Sequence, residues 1–330
     1  MAIHFRTELK RGKSIYPDFS YNKPLSLIGS CFSTNIAEKL KEYRFAHVSN
    51  PFGVTYDPIS IANQLDRLIK KDLFEKKDLF QRNGRWNSFE LHGSYLSQNA
   101  DDLIHRVNLD ITNCSEILKE SSHLFVTLGT AWIYELKETG NVVNNCHKIP
   151  SDSFRKRLLT VDEIVPVFRD ILDRLMKWNP GLIPVFTISP VRHLKDGFEE
   201  NSLSKSILRI AINELKENSS IIYFPSYEIV MDDLRDYRFY KDDLLHPNDL
   251  AINYIWEKLC DAFLSAETKS QLSEIEAVNK ALNHRAFDPM SPEHRDFILK
   301  TTDTMRRLEK NIPTISFEKE LKQLLDRIAR

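Results

Sequence analysis

The sequence predicts an α/β fold in which a mainly parallel sheet is covered by helices on both faces. Short apolar runs at 25–28, 124–128, 183–188 and 221–224 have the length of buried strands. Segments with apolar residues at helical spacing separate them, and strands that alternate with helices imply parallel pairing. Three of the runs end at Gly29-Ser30, Gly129-Thr130 and Ser189-Pro190. Parallel sheets bind ligands at the carboxyl ends of their strands, so these dipeptides share one rim.

Taken in order, the first run follows Pro24 and passes through Gly29-Ser30-Cys31-Phe32 into Ile36, Leu40 and Tyr43 at helical spacing, with Ser33 or Thr34 as the expected N-cap. Asn50-Pro51-Phe52-Gly53 is a loop signal. Asp57-Pro58 then pairs an N-cap with a proline at the first helical position, ahead of Ile61, Leu65, Leu68 and Ile69. Residues 73–100 mix charged and aromatic side chains without a dominant period. After the 124–128 strand, Thr160 and Glu163 form a capping box for Ile164, Phe168, Ile171, Leu172 and Leu175, with Pro166 near the helix start. A helix is expected over 203–215 and a partly solvated segment over 231–240. From about Ala266 only helical periodicity remains, through Leu272, Ile275, Val278, Leu308, Leu321, Leu324, Leu325 and Ile328. The expected organisation is a catalytic body over 1–265 with a helical extension, 266–330, packed on it.

Composition excludes several classes. The 330 residues carry a formal net charge of −1, so there is no global basic footprint for nucleic acid. No apolar run reaches the roughly 18 residues of a membrane span. Residues 1–13 are polar and charged, without the apolar core of a secretory signal, and a cytoplasmic protein is expected. Cys31, Cys114, Cys146 and Cys260 are widely spaced and read as free thiols. No cofactor and no metal site is expected, because Cys146-His147 lacks a second ligand pair at zinc spacing. Oligomeric state stays open.

Two features carry chemistry. In Asp243-Leu244-Leu245-His246-Pro247 an Asp precedes a His by three residues, a spacing that lets a carboxylate orient an imidazole; a loop histidine bonded to a neighbour is the plainer alternative. Ser30 sits on a strand-to-helix turn, where a hydroxyl projects over the sheet edge into the positive end of a helix; a simple N-cap is the alternative.

Together they resemble SGNH/GDSL-type hydrolases, which place a nucleophilic serine after the first strand and Asp-x-x-His near the domain end. The chain is most similar to one branch, the GSCFA family, through Gly29-Ser30-Cys31-Phe32-Ser33, with Ser33 where the family name has Ala. Asn50-Pro51-Phe52-Gly53, Leu128-Gly129-Thr130-Ala131-Trp132, Asn145-Cys146-His147-Lys148, Ser189-Pro190-Val191-Arg192-His193 and Phe239-Tyr240 to His246-Pro247 follow in order, and the similarity runs from about Phe5 into the tail. The resemblance implies a three-layer α/β/α sandwich with a flavodoxin-like sheet. It also implies acyl transfer, with Ser30 as nucleophile, His246 as general base and Asp243 as its orienting group. The oxyanion donors would be the Ser30 and Gly53 backbone amides. The Asn of the SGNH third block is missing, Ala131 standing in its place, and Thr130 and Asn145 are candidate replacements.

Other residues on the rim are open to two readings. Cys31 is a rival nucleophile or a buried thiol. Arg192 holds a substrate carboxylate or phosphate, or pairs with an acid among Asp232 to Asp236. His193 follows the same strand, His147 is a candidate for lining the cleft, and Trp132 for stacking on a sugar. Trp86 reads as packing, and His92 with Ser94 has no third member. The expected partner is a small-molecule or carbohydrate ester, attacked by water or by a second hydroxyl as in an acyltransferase. The alternative class is a non-catalytic binding module on the same fold, which the missing Asn favours.

Overall fold

A computed structural model describes residues 7–9, 16–288 and 290–328; Phe5 and most of the polar N-terminal stretch lie outside the described residues. The body is a parallel five-stranded sheet: β1 (Leu25–Gly29), β2 (His47–Ser49), β5 (His123–Leu128), β9 (Ile183–Ile188) and β10 (Ile222–Tyr223), in the order β10-β9-β5-β1-β2. Counted along the chain, that order is 2-1-3-4-5, the flavodoxin-like arrangement. Between β2 and β5 lie α2 (Pro58–Lys70), the antiparallel hairpin β3 (Phe80–Arg82) and β4 (Arg85–Asn87), and α3 (Ala100–Glu120). The excursion after β5 holds a small antiparallel sheet of β6 (Trp132–Leu136), β7 (Val142–Val143) and β8 (Phe154–Leu158), followed by α4 (Val161–Trp178). Neither α3 nor this second sheet is among the elements expected from sequence.

Period-two alternation sends successive strand residues to opposite faces. Leu25, Leu27, Phe125 and Val185 join one core with α1 (Cys31–Glu42) and α7 (Asp249–Phe263). Ile28, Leu124, Val126, Leu128, Phe186 and Ile188 join the other with α2, α3, α4 and α5 (Phe198–Asn218). Both faces are therefore covered, which completes the three-layer sandwich. A short α6 (Ser226–Glu228) follows β10.

Helices α8 (Ala266–Asn283), α9 (Pro292–Asn311) and α10 (Glu318–Ile328) extend the α1/α7 side, and Ile275, Val278, Ile298, Met305, Leu308 and Leu324 pack into the same core as Ile36, Leu40 and Trp256. Arg44 ties α10 down, with its guanidinium 2.6 Å from Glu320 and stacked on Phe317. No helix among the described residues is long and apolar enough to cross a membrane.

Candidate active site

The Ser30 turn is built by Gly29. Its φ of +134° suits glycine, and a Cβ there would lie 2.2 Å from the Thr127 carbonyl oxygen of the neighbouring strand. Gly29 N–H donates to Asn50 Oδ1 (2.8 Å), and Gly29 O accepts from Thr55 N–H (2.9 Å). The N-cap of α1 is Ser30 itself, not Ser33 or Thr34. Its Oγ accepts from Phe32 N–H at 3.3 Å, and the residue is 1% exposed at the positive end of the helix. Ser33 turns inward, its hydroxyl donating to Thr127 Oγ1 at 2.7 Å.

The Asp243–His246 loop is closed differently. Lys241 N–H donates to His246 O, Leu244 N–H donates to Lys241 O, and Leu244 takes a φ of +58° at the tip. Asp243 Oδ1 accepts from the backbone amides of Leu245 and His246, both at 2.9 Å, while Oδ2 meets His246 Nδ1 at 2.6 Å. Those amides, and then the imidazole, hold the Asp243 carboxyl down at about 2. A carboxylate on Nδ1 selects the tautomer with its proton there and leaves Nε2 with a free lone pair. Both side chains are well exposed, 40% for His246 and 46% for Asp243. Among the described residues no hydrogen bond joins Ser30 to His246.

Between these two segments lies the rim. Burial, then the neighbouring Lys205 ammonium, hold the His193 imidazole down at about 4 against the opposing pull of Asp196. Its ring meets Tyr56 edge-on at 5.1 Å. Arg192 is in no ion pair among the described residues: Asp232 pairs with Arg235 and Asp236 with Arg238, while the Arg192 guanidinium lies 5.1 Å from the Tyr240 ring centroid. Burial pushes the Cys31 thiol up, against the pull of Lys205 and Lys241 nearby, so a neutral thiol stands next to Ser30.

The expected oxyanion donors are engaged elsewhere. Ser30 N–H donates to Thr127 O at 3.1 Å and Gly53 N–H to Asn50 O at 2.8 Å. Gly53, at φ +77°, is pressed against His92, whose Cβ leaves no room for a side chain. Thr130 Oγ1 accepts from Trp132 N–H and meets Ser204 Oγ, and Asn145 Oδ1 accepts from His147 N–H, a turn contact. His147 Nε2 meets Ser88 O at 2.7 Å, its ring edge-on to Phe80, so the side chain belongs to the hairpin side of the excursion. Trp132 does line a cleft: with Tyr56, Asp57, Thr130, Tyr134 and His193 it borders a cavity of about 160 Å³ beside the rim. Burial raises the Asp57 carboxyl to about 6 even though it caps α2 through Ser60 N–H. No group of His, Cys, Asp or Glu among the described residues is arranged to hold a metal ion.

Three rim residues are absent from the sequence reading. Asn201 Oδ1 accepts from His193 N–H (2.9 Å), Ser204 Oγ accepts from Ala131 N–H (2.7 Å), and Lys205 Nζ donates to Gly129 O and Ser189 O (both 2.7 Å). All are buried on α5. They continue, at helical spacing, the apolar stripe of Leu208, Ala211, Ile212 and Leu215. Polar residues where a core stripe should run on are the signal that identifies them.

The model of the GSCFA family matches residues 24–259, and that of the GSCFA domain protein, C-terminal domain, matches residues 275–330. No curated protein matches the chain. Among solved structures it is similar to a carbohydrate esterase family 3 protein from Talaromyces cellulolyticus, at 9% identity and a TM-score of 0.34, covering 77% of this chain and 99% of that one. It is also similar to an acetyl xylan esterase from the rumen bacterium Butyrivibrio proteoclasticus, at 12% identity and a TM-score of 0.38, covering 73% of this chain and 63% of that one.

Proposed function

The chain belongs to the GSCFA family, and we propose that it is a serine hydrolase of ester bonds, with Ser30 as nucleophile and Asp243–His246 as its base pair. The observation that carries the reading is the 2.6 Å contact between Asp243 Oδ2 and His246 Nδ1, with Asp243 Oδ1 locked by two amides. A carboxylate fixed in this way holds the ring so that Nε2, on its opposite edge, is presented as the acceptor. In the proposed reaction His246 Nε2 removes the Ser30 hydroxyl proton as Oγ attacks the ester carbonyl. The tetrahedral intermediate then expels the alcohol, which takes that proton from His246. Water, deprotonated by the same ring, cleaves the acyl-serine and restores the hydroxyl. An acceptor hydroxyl in place of water makes the enzyme an acyltransferase.

The reading requires the 241–247 loop to bring Nε2 to Ser30, a tightening common when substrate binds an open site. It also requires the Ser30 amide to turn from Thr127 O toward the oxyanion. The cavity at Trp132 and His193 suits a short acyl group or one sugar substituent, because it is smaller than the roughly 300 Å³ of drug-sized pockets. A serine-directed fluorophosphonate tests the nucleophile: Ser30→Ala abolishes labelling and Cys31→Ala retains it. The reverse pattern moves the nucleophile to Cys31.

The occupied amides of Ser30 and Gly53 favour a second reading, a binding module on the same fold. Turnover of acetyl and short acyl esters by the wild type, lost in His246→Ala, excludes it. No turnover, with ester binding retained, supports it.

A further inference from the structure

Lys205 is 3% exposed, yet its Nζ makes no ion pair among the described residues. Burying an ammonium without a carboxylate is strongly unfavourable relative to an apolar side chain of the same length. Two carbonyl acceptors offset part of that cost. They are Gly129 O at the end of β5 and Ser189 O at the end of β9. Strand β5 also borders β1 on its other side, where Thr127 O holds Ser30 N–H. The charge of Lys205 therefore lies one strand over from the Ser30 turn, near enough to pull on the Cys31 thiol. An apolar residue would fill the space, so the charge itself needs an explanation.

We propose that Lys205 is a positioning residue for the Ser30 site: its ammonium ties the ends of β5 and β9 together and directs a positive field at the turn where negative charge develops on an attacked ester. This inference rests on the Ser30 reading. It also addresses the missing Asn, because a fixed buried charge beside the rim compensates for a weak set of oxyanion donors. Asn201, one turn back on α5, and Ser204, the residue immediately before Lys205, hold His193 and Ala131 in register with it.

The titratable groups facing Lys205 are Cys31 on α1, His193 after β9 and Tyr227 on α6, whose ring centroid is 5.9 Å from Nζ. Burial pushes Cys31 and Tyr227 up and His193 down to about 4. Burial brings the Lys205 ammonium down to about 7, so among these groups it alone titrates near neutrality. Above that pH the amine is neutral and the field is lost.

The test is the rate of fluorophosphonate labelling at Ser30 between pH 5.5 and 9, on the full chain. The expected wild-type profile falls on an alkaline limb as Lys205 deprotonates. Lys205→Met is expected to label about tenfold or more slowly at pH 6.5 and to lack the alkaline limb. Lys205→Arg keeps its charge and is expected to recover the rate at pH 8, which a purely structural role would not produce. A Lys205→Met protein that labels like wild type at every pH overturns the proposal. If that variant does not fold, a wild-type profile without an alkaline limb overturns it equally. A wild type that never labels at Ser30 removes the Ser30 reading and this inference with it, whereas a labelled wild type indifferent to Lys205 removes this inference alone.

Discussion

The two halves of the proposed active site are held in opposite ways. Ser30 is buried in a turn fastened by Gly29, Asn50, Thr55 and Thr127. The Asp243–His246 pair stands on an exposed loop whose hydrogen bonds are almost all internal to it. Buried, cross-linked backbone opens at a higher free energy than an exposed loop with local bonds. On the proposed reading, the nucleophile belongs to the anchored half and the base to the exposed half that must come to it. The orientation of the imidazole is fixed inside the loop by Asp243, so on the proposed reading a rigid movement of the loop preserves the tautomer.

The comparison breaks most sharply at the reacting atoms. Ser30→Ala and His246→Ala are each expected to lower ester turnover by about a thousandfold or more, measured on a short acyl ester. If His246→Ala keeps full turnover, the loop is not the base. Asp243→Asn is expected to be comparably damaging, with a loss of about 10⁴-fold, because its NH2 would face Nδ1 and put the imidazole proton on Nε2. Because the Asp243 carboxyl sits at about 2, its ionisation leaves no limb in the activity profile above pH 4. An activity limb between pH 3 and 5 that vanishes in Asp243→Asn would contradict this.

The anchored half is tested by stability. Gly29→Ala forces a Cβ onto Thr127 O and is expected to cost about 3 kcal/mol or more in urea denaturation. An unchanged midpoint would mean that the turn relaxes freely. His123, also in β5, is buried with Nε2 3.1 Å from Pro17 O, and burial holds it down at about 4. In the unfolded chain it titrates near 6.5, so between these values the unfolded state binds more protons and stability falls as pH falls. His123→Phe is expected to remove about 3 kcal/mol of the stability lost between pH 7 and 4. A variant with the wild-type slope places the acid sensitivity elsewhere. The smallest effect belongs to the exposed half. Leu244→Gly relieves a left-handed backbone at the loop tip and is expected to change stability by less than about 1 kcal/mol while altering ester turnover. A large change in stability would show that the loop is not independent of the body.

The same division decides what was legible in the sequence. Strand ends at Gly29, Gly129 and Ser189 could be read because buried strands are short apolar runs with clear stops. Asp243-x-x-His246 could be read because its contact is local, closing over three residues. The clamp of Asn201, Ser204 and Lys205 is non-local: Lys205 reaches 76 residues back to Gly129, and no short pattern encodes that. The spent amides of Ser30 and Gly53 were illegible for a like reason, since a backbone donor leaves no trace in residue identity. Helix α3 was readable in principle, with Leu103, Val107, Ile111, Cys114 and Leu118 on its buried face, but its charged residues mask that stripe. The strands β6 to β8 are harder, being short and built largely from half-exposed residues.

The most direct measurement is a crystal structure of the full chain after reaction with a serine-directed fluorophosphonate. The account predicts phosphonylated Ser30 Oγ with His246 Nε2 within about 3.2 Å of it and Asp243 still on Nδ1. An adduct on another residue, or one on Ser30 with His246 left out on its exposed loop, would contradict the proposed triad.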